Sequence, residues 1–275
     1  MRALIRPGST VSGEVRVPGD KSIAHRWAIL AATARGRSEL RGLPASLDVS
    51  ATLRCLRALF PRSFPLVEGE GSASTAALEG DGSTWSGQRG RIDIPHLVVE
   101  GKGRAGIEEP RGPLDCANSG TTMRLLAGVI ASRPIRAMMV GDESLSRRPM
   151  ERVAEPLRRM GARVTTTAGR PPLVVEGAPL RGIRHRSEVP SAQVKGCLLL
   201  AGLDAEGRTT VEEPAPTRDH TERALAALGA PVELAPGRVT VSRFQHEGFT
   251  AAVPGDVSAA AFLIAAAALS RSELL

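Results

Sequence analysis

Three stretches of this sequence place cationic and hydroxyl side chains at the start of an Ala/Leu-rich segment. Lys21, Ser22 and Arg26 follow Val17-Pro18-Gly19-Asp20. Asn118, Ser119, Gly120, Thr121 and Arg124 follow Leu114-Asp115-Cys116-Ala117. Ser191, Ala192, Gln193 and Lys195 follow Val189-Pro190. A helix start exposes unpaired N–H groups and the positive end of the helix dipole, so it attracts phosphate and carboxylate. A Lys or Arg one turn further on shares that face. Gly120 would let a ligand approach the backbone closely. The chemistry implied is the capture of small anions. Each feature also has a plain structural reading. Gly-Asp-Lys-Ser and residues 118–121 serve equally as turns and N-caps. Arg148, ahead of Pro149, reads as a solvated charge, and Asp219-His220, after Arg218, as a helix cap with a surface histidine. Three copies with cations in register favour the anion reading.

The segments that must position these residues repeat along the chain. Apolar residues at helical spacing predict helices over 23–34, 122–130, 194–203 and 258–269. The first three lead into strand-like runs at 38–43, 135–140 and 208–212. Second helices follow at 48–59, 149–160 and 219–228, the latter two stopped by Gly161 and Gly229. Hairpins are predicted at 162–167 with 172–176, and at 231–234 with 238–241. Each unit is thus helix, strand, helix and two strands, fed by an entering strand. A Gly/Ser-rich insert at 68–91 lengthens the first unit and reads as a surface loop. The fourth unit begins, and residues 267–274 mirror 34–40, but no strand follows; the chain reads as a fragment of a longer protein.

Composition narrows the class. The 275 residues are 42% hydrophobic, enough to fill about two cores, and 24% charged, unlike a disordered chain. The apolar run 257–269 falls short of the ~20 residues a bilayer span needs, and no signal-peptide pattern follows Arg2 and Arg6. Cys55, Cys116 and Cys197 are odd in number and unpaired in spacing, which suits a reducing cytoplasm and argues against a disulfide framework or zinc site. The net charge of +7 would suit nucleic acid, but the Arg residues are scattered among acids and only 3% of residues are aromatic. Of 36 basic residues only Lys21, Lys102 and Lys195 are lysine, a hint that a compact ammonium is wanted there.

Five motifs, in order along nearly the whole chain, carry a family resemblance. They are Val17-Pro18-Gly19-Asp20-Lys21-Ser22-Ile23-Ala24-His25-Arg26, residues 114–124, residues 141–150 with Arg147-Arg148-Pro149-Met150, Pro190-Ser191-Ala192-Gln193-Val194-Lys195, and Thr217-Arg218-Asp219-His220-Thr221-Glu222. Together they resemble the 3-phosphoshikimate 1-carboxyvinyltransferases, or EPSP synthases, within the enolpyruvyl transferases. The insert at 68–91 is the main departure.

The resemblance implies an inside-out α/β fold of two domains, each a threefold repeat of the unit above, with the chain crossing between them twice. Residues 1–18 would then belong to the second domain, 19–252 form a complete three-repeat domain, and 253–275 begin the second. It implies transfer of the enolpyruvyl group of phosphoenolpyruvate to the 5-hydroxyl of shikimate 3-phosphate, with release of phosphate, on the way to chorismate and the aromatic amino acids. No metal or organic cofactor is implied, and a cytoplasmic monomer is expected at full length.

By resemblance Lys21 touches both substrates. Ser22, Arg26, Ser191, Ala192, Gln193 and Arg218 hold shikimate 3-phosphate. Gly120 and Arg148, with Gln193, hold phosphoenolpyruvate, and Asn118, Thr121 and Arg124 shape that wall. The family's general base, its proton donor and further phosphoenolpyruvate contacts come from the second domain, and Asp256 is not that base. The 275 residues are therefore expected to bind weakly and not to turn over. Glyphosate, which occupies the family's phosphoenolpyruvate site, should inhibit a full-length form, because Gly120 leaves room that an Ala methyl would fill.

Two other readings remain open. The sister transferases that act on UDP-N-acetylglucosamine generally carry a Lys-Asn pair and a Cys or Asp in the loop before their Arg-Pro; this chain has Lys21-Ser22, and residues 141–148 lack a Cys. A non-catalytic basic protein that binds anions or nucleic acid is the third.

Overall fold

The structure, a computed structural model, describes residues 13–64 and 96–270. The insert at 68–91 lies outside the described residues, as does most of the 1–18 segment.

Three helices form the interior: α1 (Lys21–Thr33), α3 (Gly120–Ile130) and α6 (Ala192–Gly202). Beyond its first turn each is buried on nearly every side, with polar residues gathered mainly at its start, and such a helix is stable only when covered. All of α3 except Thr121 is buried, as is α6 from Val194 onward. Alpha-3 and α6 meet at backbone contact: a Cβ on Gly128 would stand 2.2 Å from the Cys197 carbonyl oxygen, so only glycine permits this approach. Fully buried Leu125, Leu126, Leu198 and Leu199 surround that contact, and burying each contributes about 1.5–3 kcal/mol.

Polar residues start these helices where the sequence placed them. The Ile23 N–H donates to Asp20 Oδ1 at 2.8 Å, the Thr122 N–H to Ser119 Oγ at 3.1 Å, and the Val194 N–H to Ser191 Oγ at 3.3 Å. Each bond satisfies one donor that the helix leaves orphaned.

Around the inner helices stand α2 (Leu47–Leu59), α4 (Glu143–Ser146), α5 (Glu151–Met160) and α7 (His220–Ala227), together with a 3-10 turn at Arg104–Gly106. The strands are β1 (Arg35–Arg41), β2 (Leu97–Lys102), β3 (Leu114–Asp115), β4 (Arg136–Val140), β5 (Arg163–Thr167), β6 (Arg170–Glu176), β7 (Arg184–Arg186), β8 (Arg208–Glu212), β9 (Val232–Ala235), β10 (Arg238–Ser242) and β11 (Thr250–Ala252).

They make three sheets on one plan. In β3-β4-β6-β5 and β7-β8-β10-β9, the entering strand runs parallel to the strand after the inner helix, and a hairpin completes the sheet antiparallel. In β11-β1-β2 the parallel partner of β1 arrives from the far end of the chain, with Glu39 opposite Thr250 and Arg41 opposite Ala252. The repeat therefore closes on itself.

The segments before α1 and after β11 also pair. Gly19 and Gly255 form an antiparallel bridge, the Asp20 N–H donates to the Pro254 carbonyl, and the Asp256 N–H to the Pro18 carbonyl. The last described helix, α8 (Val257–Ser270), has no buried residue, and Phe262 is 83% exposed. Among the described residues its apolar side chains are therefore uncovered.

Strand 208–212 falls where predicted, while β1 begins three residues before its predicted start at 38 and ends two short of 43. Gly161 (φ 119°) and Gly229 (φ 82°) take the left-handed conformation that ends a helix.

Candidate functional site

The N-termini of α1, α3 and α6 meet on one face, joined by hydrogen bonds between side chains far apart in sequence. Arg26 is the first link. Its residue is 4% exposed, and its guanidinium donates through Nε to Thr221 Oγ1 (2.6 Å) and through its terminal nitrogens to the Ser22 carbonyl (2.8 Å) and the Ala192 carbonyl (3.4 Å). Burial lowers its pKa to about 10, against the pull of the Glu222 charge, so it stays cationic at neutral pH. Arg218, exposed, donates to Ser22 Oγ at 3.3 Å. These contacts gather Ser22, Arg26, Ala192 and Arg218 around the starts of α1 and α6.

The second cluster surrounds the start of α3. Arg124 is buried and donates to Gln193 Oε1 (2.5 Å) and to the Pro149 carbonyl (3.0 Å). Its pKa is depressed, first by burial and then by the neighbouring Arg148 and Arg152 charges. Arg148 donates to Asn118 Oδ1 (2.5 Å) and to Ser144 Oγ (3.3 Å), and Asn118 Nδ2 donates to Asp142 Oδ2 (2.8 Å). Asp142 in turn accepts from the Leu145 N–H at 2.8 Å and so caps α4. That bond and the one from Asn118 hold its carboxyl below the usual carboxylate range. Arg148, read from the sequence as a solvated charge, thus makes two hydrogen bonds at the exposed rim of the cluster.

Gln193 joins the clusters. Its Oε1 accepts from Arg124, its Nε2 donates to Thr121 Oγ1 at 2.9 Å, and the neighbouring Ala192 carbonyl accepts from Arg26. Lys21 lies at the start of α1, next to Ser22: its side chain is 49% exposed, and Nζ pairs with Asp48 Oδ2 on α2 at 2.6 Å. Beneath the face runs a buried relay from His25 Nδ1 to Thr52 Oγ1 (2.6 Å), Thr122 Oγ1 (2.6 Å) and the cap hydroxyl of Ser119 (2.7 Å). Burial drops the His25 pKa to about 3, so it is a neutral member of that relay.

The face presents Lys21, Arg26, Arg124, Arg148 and Arg218 to solvent or just below it, beside three helix N-termini. Asp48 and Asp142 each already have a partner. Such an array neutralises several negative charges within one small region. Among the described residues no group of three or more His, Cys, Asp or Glu side chains could hold a metal ion.

Lys195 is not on this face. Its ammonium turns behind α6 to Glu213 Oε2 (2.7 Å) and Glu222 Oε1 (2.6 Å), which corrects its expected place beside Ser191 and Gln193. Asp219 stands at the start of α7 but makes no side-chain capping bond, so its predicted cap is absent. Asp256 accepts from the Ser258 N–H at 2.8 Å. Sequence reasoning did not assign Thr221, Asp48, Asp142 or the His25–Thr52–Thr122 relay to the site. Only Asp142 had a local signal, an acidic residue two positions before a Ser-Leu pair.

Comparison with known proteins follows the same line. The profile of the EPSP synthase (3-phosphoshikimate 1-carboxyvinyltransferase) family matches residues 5–76 and 91–275, leaving out 77–90 within the Gly/Ser-rich insert. The 3-phosphoshikimate 1-carboxyvinyltransferase of Acidithiobacillus ferrooxidans is 45% identical over 270 residues, covering 98% of this chain and 56% of its own length. That of Methylococcus capsulatus is 46% identical over 270 residues, covering 96% and 55%. An EPSP synthase structure from Acinetobacter baumannii superposes with a TM-score of 0.79 at 38% identity, covering 94% of this chain and 53% of that one. The chain thus spans just over half the length of these relatives, and within that span its fold is theirs. By fold and by sequence over nearly all its length, this chain belongs to the EPSP synthase family.

Proposed function

We propose that this chain supplies the shikimate 3-phosphate grip, and part of the phosphoenolpyruvate grip, of an enolpyruvyl transfer to the 5-hydroxyl of shikimate 3-phosphate. The observation that carries the reading is the path of hydrogen bonds from Arg218 through Ser22 and Arg26 to the Ala192 carbonyl, which the next residue, Gln193, continues to Arg124. Both substrates are multiply anionic and repel each other, so an enzyme must neutralise both before the hydroxyl oxygen can approach the enol carbon.

Arg26, Ser22, Arg218, Ser191, Ala192 and Gln193 take the phosphate and ring of shikimate 3-phosphate. Gly120 and Arg148, with Gln193, take phosphoenolpyruvate, and Asn118, Thr121 and Arg124 form the wall. Lys21 stands between the two and stabilises charge on the departing phosphate. The hydroxyl gives up its proton as its oxygen adds to the enol carbon, and a proton goes to the methylene carbon, making it a methyl; a methyl proton is then removed as phosphate leaves and the double bond re-forms. No residue of this chain is assigned as base or proton donor; those belong to the part of the family's length that the chain does not span. Three buried free thiols, Cys55, Cys116 and Cys197, suit a cytoplasmic setting. No helix among the described residues is long and apolar enough to cross a membrane.

The test is calorimetric titration of the 275-residue chain with shikimate 3-phosphate, UDP-N-acetylglucosamine and a short DNA duplex. Saturable binding of shikimate 3-phosphate alone is expected, with no phosphate released when phosphoenolpyruvate is added. Binding of UDP-N-acetylglucosamine would move the assignment to the sister transferases. DNA affinity with log K falling about 0.9 per phosphate contact against log salt would replace catalysis by nucleic-acid binding.

A further inference from the structure

We propose that Lys195 is a positioning residue that sets Arg26 and Arg218 for the phosphate of shikimate 3-phosphate by holding Glu213 and Glu222 behind them. The inference rests on the function proposed above. Lys195 lies on α6 with its side chain only 4% exposed, and its ammonium bonds both carboxylates. Each carboxylate belongs to a segment that carries part of the grip. Glu213 follows β8, and its second oxygen accepts from the Thr217 hydroxyl, next to Arg218. Glu222 lies on α7, next to Thr221, whose hydroxyl accepts from Arg26 Nε at 2.6 Å. Lys195 therefore ties to α6 both the turn that presents Arg218 and the helix start that orients Arg26.

The charges explain why an ammonium is needed. Arg26, Lys195, Glu213 and Glu222 form a group of four with two charges of each sign, three of them buried and Glu213 nearly so. Glu222 Oε2 is buried and has no partner among the described residues. With Lys195 gone, Glu222, whose charge already acts on Arg26, would lose its ammonium partner, and its free oxygen would draw the guanidinium off Ser22 and Ala192. A buried charge that loses its counter-ion reorganises whatever cation is near. Burial disfavours the Lys195 charge, but its bonds to the two glutamates outweigh that and raise its pKa above the ordinary value. It is a fixed cation and not a proton carrier. The phosphoenolpyruvate wall hangs from α3 and residues 141–150 and shares none of these bonds.

The experiment uses the 275-residue chain as wild type, Lys195→Met, Lys195→Met with Glu222→Gln, and Glu213→Gln. Two readouts are taken: the Arg26 Nε–H signal by nitrogen-15 NMR without ligand, and shikimate 3-phosphate affinity by calorimetry. Lys195→Met should shift or broaden the Arg26 signal and weaken binding about tenfold or more, the loss expected when a charge-assisted contact is misplaced. Removing the competing carboxylate in the double variant should restore the signal and most of the affinity while Lys195 is still absent. Glu213→Gln keeps a partner for the ammonium and the shape of the site, so it tests the idea even if Lys195→Met does not fold; a loss of about 3–10-fold is expected, through Thr217 and Arg218. An unchanged Arg26 signal, or affinities within twofold of wild type alongside a lowered melting temperature, would reduce Lys195 to a structural ion pair. Failure of the wild type to bind shikimate 3-phosphate would overturn the proposed function, while the ligand-free Arg26 signal would still decide whether Lys195 positions that side chain.

Discussion

Gly120→Ala is a substitution whose cost can be worked from the geometry. Gly120 opens α3 with no left-handed φ, so alanine is allowed there, and a helical alanine gains up to about 1 kcal/mol over glycine. The new methyl would stand 2.6 Å from an Arg124 terminal nitrogen and 3.3 Å from one of Arg148. Ordinary contact is about 3.5–4.0 Å, so the Arg124 nitrogen must retreat about 1 Å. That nitrogen is the one bonded to Gln193 Oε1 at 2.5 Å, and the side chain is buried with little room to swing. Losing a charge-assisted hydrogen bond costs about 1.5–3 kcal/mol, so the net destabilisation is about 0.5–2 kcal/mol. At this chain length that lowers Tm by about 1–8 °C. The assay is thermal unfolding of Gly120→Ala in wild-type and Gln193→Ala backgrounds, a double-mutant cycle. The Tm drop should vanish in the Gln193→Ala background, where the bond is already gone. An equal drop in both backgrounds, or none in either, would refute the argument that the methyl acts through Arg124. In a protein of the relatives' full length that carries these residues, the same methyl should blunt glyphosate inhibition, and inhibition unchanged by Gly120→Ala would contradict that.

Acid should weaken the fold through its buried imidazoles. Burial lowers the pKa of His25 to about 3 and of His246 to about 4, against 6.5 when unfolded, so below pH 6.5 the unfolded chain takes up protons that the native one refuses. Stability from this source is full above pH 6.5 and falls with acidification, by about 2 kcal/mol per histidine at pH 5. Urea unfolding of His25→Gln between pH 7 and 5 should lose about half of that slope, and an unchanged slope would count against a buried neutral His25. Lys21→Met should leave Tm within about 4 °C of wild type, because its pair with Asp48 is half-exposed and such pairs contribute under about 1 kcal/mol. The same variant should lose at least about tenfold in shikimate 3-phosphate affinity; retained affinity would remove Lys21 from the site.

The inner helices were legible in the sequence because their apolar character and caps are local. Asp20, Ser119 and Ser191 each precede a run that cannot be solvated, and each caps the helix expected of it. The closing of the repeat was not legible. Strand β11 pairs with β1 across some 200 residues, and nothing near Thr250 marks its partner. The site divides the same way. Helix starts rich in cations are a local pattern, so Lys21, Ser22, Gly120 and Gln193 could be read from it, with the family resemblance assigning their roles; Arg148 came from the resemblance alone. The Arg26–Thr221 bond and the Glu213–Lys195–Glu222 cluster join separate units, and only the packing of α6 against α7 shows that Lys195 turns away from the ligand face. Spacing from Ser191 suggested otherwise, because it ignores what lies on the other side of the helix.

The central claim is that Arg218, Ser22 and Arg26 converge on one phosphate. Its most direct test is calorimetric titration of the chain with shikimate 3-phosphate before and after Arg218→Ala. Arg218 is exposed and bonds only Ser22 among the described residues, so the substitution should leave the fold intact. Saturable binding that weakens about tenfold or more in Arg218→Ala at unchanged Tm is the expected result. Equal affinity in both proteins would contradict the convergence and take the phosphate to another part of the face.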